Sequence, residues 1–300
     1  MAHMEGKVSM DGSSLARSTS GIDKIRIVGL TKLFRTGRTS VTALAEVNLS
    51  VPEGQFLCVV GPSGCGKTTM LRIMGGLETP TTGEVGVSRR DKNKPINSMI
   101  FQEHAIFPWM TVRDNVAYGL RMRGVPRGEA MDRAGDYVRK VGLAKFSKAY
   151  PHQLSGGMKQ RVSIARAFCN DPEILLMDEP FASLDEQTKI LLQEELLRVW
   201  GETRTTVIYV THSIDEAIVM GDRIVVFTAH PGHVKDEVSI DFPRPRGVYE
   251  LKANPKFGEM AFRVWGLLRD EVMKAKEQER LAGADKPEER GGGHGSKQGF

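Results

Sequence analysis

The chain has 300 residues, 40% of them hydrophobic and 26% charged, with a formal net charge of +5. That is enough apolar material for one substantial α/β core, while no run approaches the ~18 consecutive apolar residues of a bilayer-spanning helix and none has the form of a secretion signal. The three cysteines, Cys58, Cys65 and Cys169, have neither disulfide nor zinc-site spacing and suit a reducing cytosol.

Residues 1–21 are polar and Ser/Gly-rich and are expected to be disordered; Met1-Ala2-His3-Met4 has the look of a cloning remnant and stays outside the fold reasoning. Residues 24–60 read as strands, with Pro52-Glu53-Gly54 as a turn. The run Phe56–Val60 leads into Gly61-Pro62-Ser63-Gly64-Cys65-Gly66-Lys67-Thr68-Thr69, and Met70–Met74 reads as a helix. A further strand ends just before Gln102. Residues 105–157 then leave the strand pattern for helices at Val112–Arg123 and Glu129–Val141. Leu154-Ser155-Gly156-Gly157-Met158 opens another helix that runs through Ala167. Sheet segments return at 173–178, 205–211 and 222–228, alternating with helices at 186–200 and 213–220, which is the pattern of a helix-flanked parallel sheet. A short strand, Val234–Ile240, precedes the Pro/Arg stretch Phe242–Arg246. Met260, Val264, Leu268 and Val272 then recur at helical spacing, as a stripe packed on the domain. Residues 284–300, with three consecutive glycines, are expected to be disordered. No internal repeat is present.

Three segments carry chemistry. Gly61–Thr68 fits G-x-x-x-x-G-K-[ST] in the strand–loop–helix context that the pattern requires. Its glycines let backbone N–H groups turn toward an anion at the positive end of a helix, Lys67 would reach the β- and γ-phosphates, and the Thr68 hydroxyl would be a Mg²⁺ ligand. Cys65 lies inside this loop, where the helix dipole is expected to lower its pKa. The continuous apolar run Ile174–Met177 suits a strand buried on both faces. It ends in Asp178-Glu179, placed to hold a metal and to polarise a water; taken alone, the pair reads equally as a solvated turn. In the third segment Ser155 is an N-cap with two glycines behind it, a second anion site 88 residues after Lys67. One nucleotide has little use for two such sites on one compact chain, whereas two copies arranged head to tail would bring Ser155 of one to the phosphate loop of the other.

Across residues ~22–245 the chain resembles the ATP-binding subunits of ABC transporters. Leu154–Arg161 looks like the family's signature, with Met158 where Gln is more usual. Gln102 looks like the Q-loop glutamine, Ser183-Leu184-Asp185 like the D-loop and His212 like the switch histidine; Phe34 sits where an aromatic stacks on adenine. The resemblance implies an α/β P-loop NTPase (RecA-like) core with a parallel sheet, an antiparallel β subdomain and an inserted α-helical subdomain at about 105–157. It also implies a nucleotide-binding domain over 22–245, followed by a C-terminal helical extension over 246–283. It implies ATP and Mg²⁺ as cofactors, with Gly61, Pro62, Ser63, Gly64, Cys65, Gly66, Lys67, Thr68 and Thr69 around the phosphates. Thr68, Gln102 and Asp178 would be at the metal. Glu179, His212, Gln102 and Lys67 would be the catalytic groups, and Ser155, Gly156, Gly157 and Asp185 would come from a second copy.

Phe107-Pro108-Trp109 and Ala229–His233 further resemble importers of the nitrate, sulfonate and taurine type. That implies an ABC permease partner, an indirect solute-binding protein and a peripheral place on the cytoplasmic face of the inner membrane. Phe107–Trp109 would meet the permease, against the alternative of ordinary local packing. The basic clusters at Arg89–Lys92 and at Arg121, Arg123 and Arg127 suit anionic lipid or permease loops, against the alternative of solvated charge. No nucleic acid is expected, although a soluble ABC ATPase acting on nucleic acid or ribosomes is the main alternative; a P-loop kinase would need neither the signature nor His212.

Overall fold

The computed structural model describes residues 7–9, 23–37, 39–103 and 105–284. In chain order its elements are β1 (Lys7–Ser9), β2 (Asp23–Thr36), β3 (Thr39–Pro52), β4 (Phe56–Val60), α1 (Lys67–Met74), β5 (Thr82–Val87), β6 (Asn97–Ile100), α2 (Val112–Met122), α3 (Arg127–Lys140) and α4 (Gly156–Cys169). They continue with β7 (Ile174–Asp178), α5 (Glu186–Thr203), β8 (Thr206–Thr211), α6 (Ile214–Met220), β9 (Arg223–Phe227), β10 (Val234–Ser239), α7 (Val248–Lys252) and α8 (Pro255–Ala284).

The apolar runs decide the architecture. All five residues of β4 and of β7 are buried, as are all six of β8, so these strands need cover on both faces. Along β4, Phe56, Cys58 and Val60 join one core with α4, α5, α6 and α8, while Leu57 and Val59 join a second with α1 and the other sheet. β7 and β8 divide in the same way, Met177 and Tyr209 to the first core, Leu176 and Ile208 to the second. The result is a six-stranded sheet in the order β10-β9-β4-β8-β7-β6, parallel except at β10. A four-stranded sheet, β1-β5-β2-β3, covers its α1 side, with β2 antiparallel to both β3 and β5. β5 was not foreseen, since Thr82-Gly83-Glu84-Val85-Gly86-Val87 offers little apolar pattern; a Cβ on Gly83 would lie 2.3 Å from the Gly29 carbonyl oxygen, so the close β2 approach admits only glycine there.

A third core unites α2, α3 and α4 through Val116, Leu120, Ala134, Val138, Val162 and Cys169. It extends into α4 beyond residue 157, because the same helix turns Ile164, Ala167 and Phe168 toward the sheet. Val264 and Leu268 of α8 are buried against the first core, with Met260 partly so.

Two expectations change. Lys7–Ser9, within the stretch expected to be disordered, pairs in parallel with β5, whose edge offers unpaired backbone groups; the remainder of residues 1–21, and residues 285–300, lie outside the described residues. The basic clusters are not wholly free charge. Arg89 donates to the carbonyls of Asp91, Lys92 and Lys94, and Arg123 to those of Asn93 and Asn170. The guanidinium fork fits such loop carbonyls, which gives these two arginines a structural task. No helix among the described residues is long and apolar enough to cross a membrane.

Candidate functional site

Strand register brings the three chemistry-bearing segments together. Val60 pairs with Thr211 and Asp178 with Val210, so the loop after β4, the carboxylates ending β7 and His212 after β8 all emerge at one edge of the sheet. β6 pairs Ile100 with Met177 and delivers the exposed Gln102 to that same edge. Ligand groups in parallel sheets gather at such carboxyl ends.

The loop wraps its own lysine. Lys67 is 5% exposed, and its Nζ donates at 2.8 Å to the carbonyls of both Gly61 and Pro62. Gly66, with φ at 102°, is the N-cap of α1; a Cβ there would stand 2.6 Å from the Ala43 carbonyl oxygen. Gly61 has Phe227 Cβ 2.9 Å from where a Cβ would lie, so Gly61 is fixed by its neighbours and Gly66 by its neighbours and its φ. Ser63 and Gly64 are exposed and Thr69 is half-buried. Cys65 is 1% exposed, and burial raises its thiol pKa against the lowering influence of Lys67. The expected low pKa is therefore corrected: desolvation outweighs the nearby positive charge and the helix end.

Thr68 Oγ1 donates to Asp178 Oδ1 at 2.9 Å. Asp178 is 6% exposed, and burial raises its carboxyl pKa, opposed by the Thr68 hydrogen bond and reinforced by the neighbouring Glu179. A hydroxyl and a buried carboxylate converging at a helix start form a hard-oxygen donor set that fits Mg²⁺. Glu179 adopts φ of 45°, a left-handed conformation that is rare outside glycine, and its N–H donates to the Val210 carbonyl at 2.9 Å. This turn sends its side chain to His212, with Oε2 and Nδ1 3.1 Å apart. The end of β8 that leads into His212 is tied down by buried Glu216, which accepts from Tyr209 Oη at 2.9 Å and Thr211 Oγ1 at 2.7 Å.

Ser155, Gly156, Gly157 and Asp185 form a separate group. Ser155 caps α4 by accepting from the Met158 N–H at 3.3 Å, and Asp185 caps α5 by accepting from the Thr188 N–H at 2.9 Å. Hydrogen bonds from Thr188 hold the Asp185 carboxyl below its usual range. A Cβ on Gly157 would come within 2.8 Å of Thr188 Cγ2, so the two helix starts touch. No hydrogen bond among the described residues joins this exposed group to the phosphate loop of its own chain. Phe34, 38% exposed, carries the Lys32 ammonium 4.8 Å from its ring centre. It lies two residues beyond Lys32, whose β3 partner Leu44 touches Gly66.

Sequence reasoning missed three supports. Asn115 is fully buried and bonds Phe107, Met110 and Thr111, fixing the loop after Gln102. That loop sets Phe107 against Tyr118, the rings tilted with centres 4.6 Å apart, and leaves Trp109 70% exposed. Glu216 is the second support. The turn 229–233 is the third: a Cβ on Gly232 would be 1.9 Å from the Cys65 carbonyl oxygen, so this turn lies directly on the phosphate loop. Asn115 and Glu216 have no local signal, because a buried Asn or Glu looks like any polar helix residue in sequence; Ala229–His233 stood out in the sequence, but its seat on the phosphate loop did not.

The family profile described as ABC transporter matches residues 44–182. An uncharacterized ABC transporter ATP-binding protein of Methanocaldococcus jannaschii is 47% identical over 84% of this chain and 94% of its own length. The nitrate import ATP-binding protein NrtD of a Synechocystis strain is 41% identical over 82% of this chain and 95% of its own. The aliphatic sulfonates import ATP-binding protein SsuB of Bacillus cereus is 41% identical over 80% of this chain and 94% of its own. Among solved structures, a dimeric post-hydrolysis ATP-binding cassette with bound ADP and Pi aligns with TM-score 0.64 at 33% identity, covering 73% of this chain and all of the other. These names lend no support to an ATPase acting on nucleic acid or ribosomes.

Proposed function

The chain belongs to the ABC transporter ATP-binding proteins and is an ATPase of that family, and from that premise we propose that it energises a membrane importer of nitrate, a sulfonate, taurine or a similar small solute. The observation that carries the reading is the meeting of Lys67, Thr68–Asp178 and Glu179–His212 at one sheet edge.

On this reading Lys67 exchanges the Gly61 and Pro62 carbonyls for the β- and γ-phosphates, and the bare N–H groups of the loop hold the remaining phosphate oxygens. Thr68, Asp178 and Gln102 would hold Mg²⁺, which would neutralise phosphate charge. Phe34 stacks on the adenine. Glu179 accepts a proton from the water whose oxygen forms the new bond to the γ-phosphorus, as the bond to the ADP oxygen breaks; its contact with His212 fixes the carboxylate in line. A second copy supplies Ser155, Gly156 and Gly157 to the same phosphate, with Asp185 linking the two sites. The touching starts of α4 and α5 let one rigid surface do both.

The partner is an ABC permease, whose cytoplasmic segment docks on Phe107, Pro108 and Trp109, the chain lying on the cytoplasmic face of the membrane. A solute-binding protein acts on the far side. Residues 22–245 are the nucleotide-binding domain in this account and 246–283 its C-terminal extension. Glu179→Gln is the test: ATP binding persists, steady-state turnover falls by about a hundredfold or more, and an ATP-bound dimer accumulates in size-exclusion chromatography. Turnover equal to the parent protein removes Glu179 as the base.

A further inference from the structure

Two faces of α8 have different fates. One, with Val264, Leu268 and Glu271, is buried. Glu271 accepts from the Ala229 N–H at 3.0 Å and from Lys235 and Lys274 at 2.9 and 3.0 Å. Through the 229–233 turn, the helix is thus seated against the phosphate loop.

The other face is open and carries three large apolar side chains around the exposed Arg269. Phe262, Trp265 and Met273 are 79%, 46% and 64% exposed, and their spacing sets them along one side of the helix. Such a strip on an otherwise charged helix marks an interaction surface. Beside it runs a groove of about 270 Å³, walled by Pro62, Ser63 and His212 on one side and by Trp265, Val272 and Lys276 on the other. The strip is therefore continuous with the open side of the phosphate loop. Residues 285–300 contain one large apolar side chain, Phe300, too few to cover it.

We propose that this face of α8 is a further docking surface for the second copy, engaged when two chains close around ATP. The proposal rests on the dimer reading above, in which Ser155 of the second copy meets the phosphate loop, whose Pro62 and Ser63 wall this groove. Apolar contact there adds to the Ser155 and Asp185 contacts, and Lys276 brings a cation to the rim of the same groove.

The experiment is sedimentation velocity of the full chain carrying Glu179→Gln, with Mg-ATP, compared with the same chain also carrying Trp265→Ala or Met273→Glu. Met273 lies outside the groove, so its change leaves the packed face of α8 and the loop untouched. The expected result is dimerisation weakened by about tenfold or more in both, with ADP binding by the separated chains unchanged. Should Trp265→Ala impair ADP binding, Met273→Glu decides alone. Dimerisation equal to the parent's overturns the proposal, as does stronger dimerisation, which would make α8 a spacer. Binding to anionic vesicles that Met273→Glu abolishes, with dimerisation intact, assigns the strip to lipid and also overturns it. If the Glu179→Gln parent itself fails to dimerise, the underlying dimer reading falls first.

Discussion

At the residue scale, the site is governed by what burial does to three groups. Cys65 and Asp178 both lose water and both rise in pKa, but with opposite consequences. For the thiol, a higher pKa means less thiolate and a quiet residue that packs the loop. For Asp178 it means that, without metal, the carboxylate takes up a proton at a higher pH than an exposed aspartate does. If Asp178 is the metal ligand, Mg²⁺ must displace that proton, so activity at limiting Mg²⁺ falls on acidification earlier than an ordinary carboxylate would dictate. The Thr68 hydroxyl opposes this shift, so Thr68→Ser, which keeps the hydroxyl, leaves the acid limb of the ATPase pH profile in place. Thr68→Val moves it to higher pH as well as lowering the rate, and an acid limb that moves down or stays fixed in Thr68→Val refutes the assignment. Lys67, the third group, is buried but satisfied by two carbonyls, the bonds that the proposed function has it exchange for phosphate oxygens.

Element by element, the glycines have separable reasons. Gly66 is required by the β3 backbone and by its left-handed φ, whereas Gly157 is required by one methyl group of Thr188 on α5. Gly157→Ala therefore forces α4 and α5 apart and destabilises the fold by about 1–3 kcal/mol, read as a lowered Tm. Thr188→Ala removes the obstructing methyl while keeping the backbone N–H that Asp185 accepts. The double variant is expected to recover most of the loss, and additive losses would show that Gly157 answers to something other than this contact. The same contact gives the Ser155–Gly157 and Asp185 segments a common surface.

For the whole molecule, the sheet edge that gathers the phosphate loop, the carboxylates and His212 belongs to one chain, while Ser155 and Asp185 face outward. Trp109 is exposed on the helical layer, held by a loop that Asn115 fixes. If that ring anchors the permease, Trp109→Ala reduces recovery of the chain with its native membranes while ATP hydrolysis by the detached protein stays within about twofold, since the ring touches nothing at the phosphate site. Unchanged membrane recovery assigns Phe107–Trp109 to local packing instead.

Much of this was legible in the chain itself. Phosphate loops, buried parallel strands and helix caps are local: they need glycines, short apolar runs and capping hydroxyls at fixed spacing, and Gly61–Thr68, Ile174–Asp178 and Ser155 carry those signs within a few residues. What sequence could not decide depends on groups distant along the chain meeting in space. Burial set the direction of the Cys65 shift, register brought Glu179 to His212, and the Gly232 turn came to rest on Cys65 through contacts spanning more than half the chain. Asn115, Glu216 and Glu271 look solvated in sequence, because nothing local tells a polar residue on a helix whether its partner is water or a buried backbone. Local chemistry thus determined the kind of site; tertiary packing decided its protonation, its supports and the surface that α8 presents beside it.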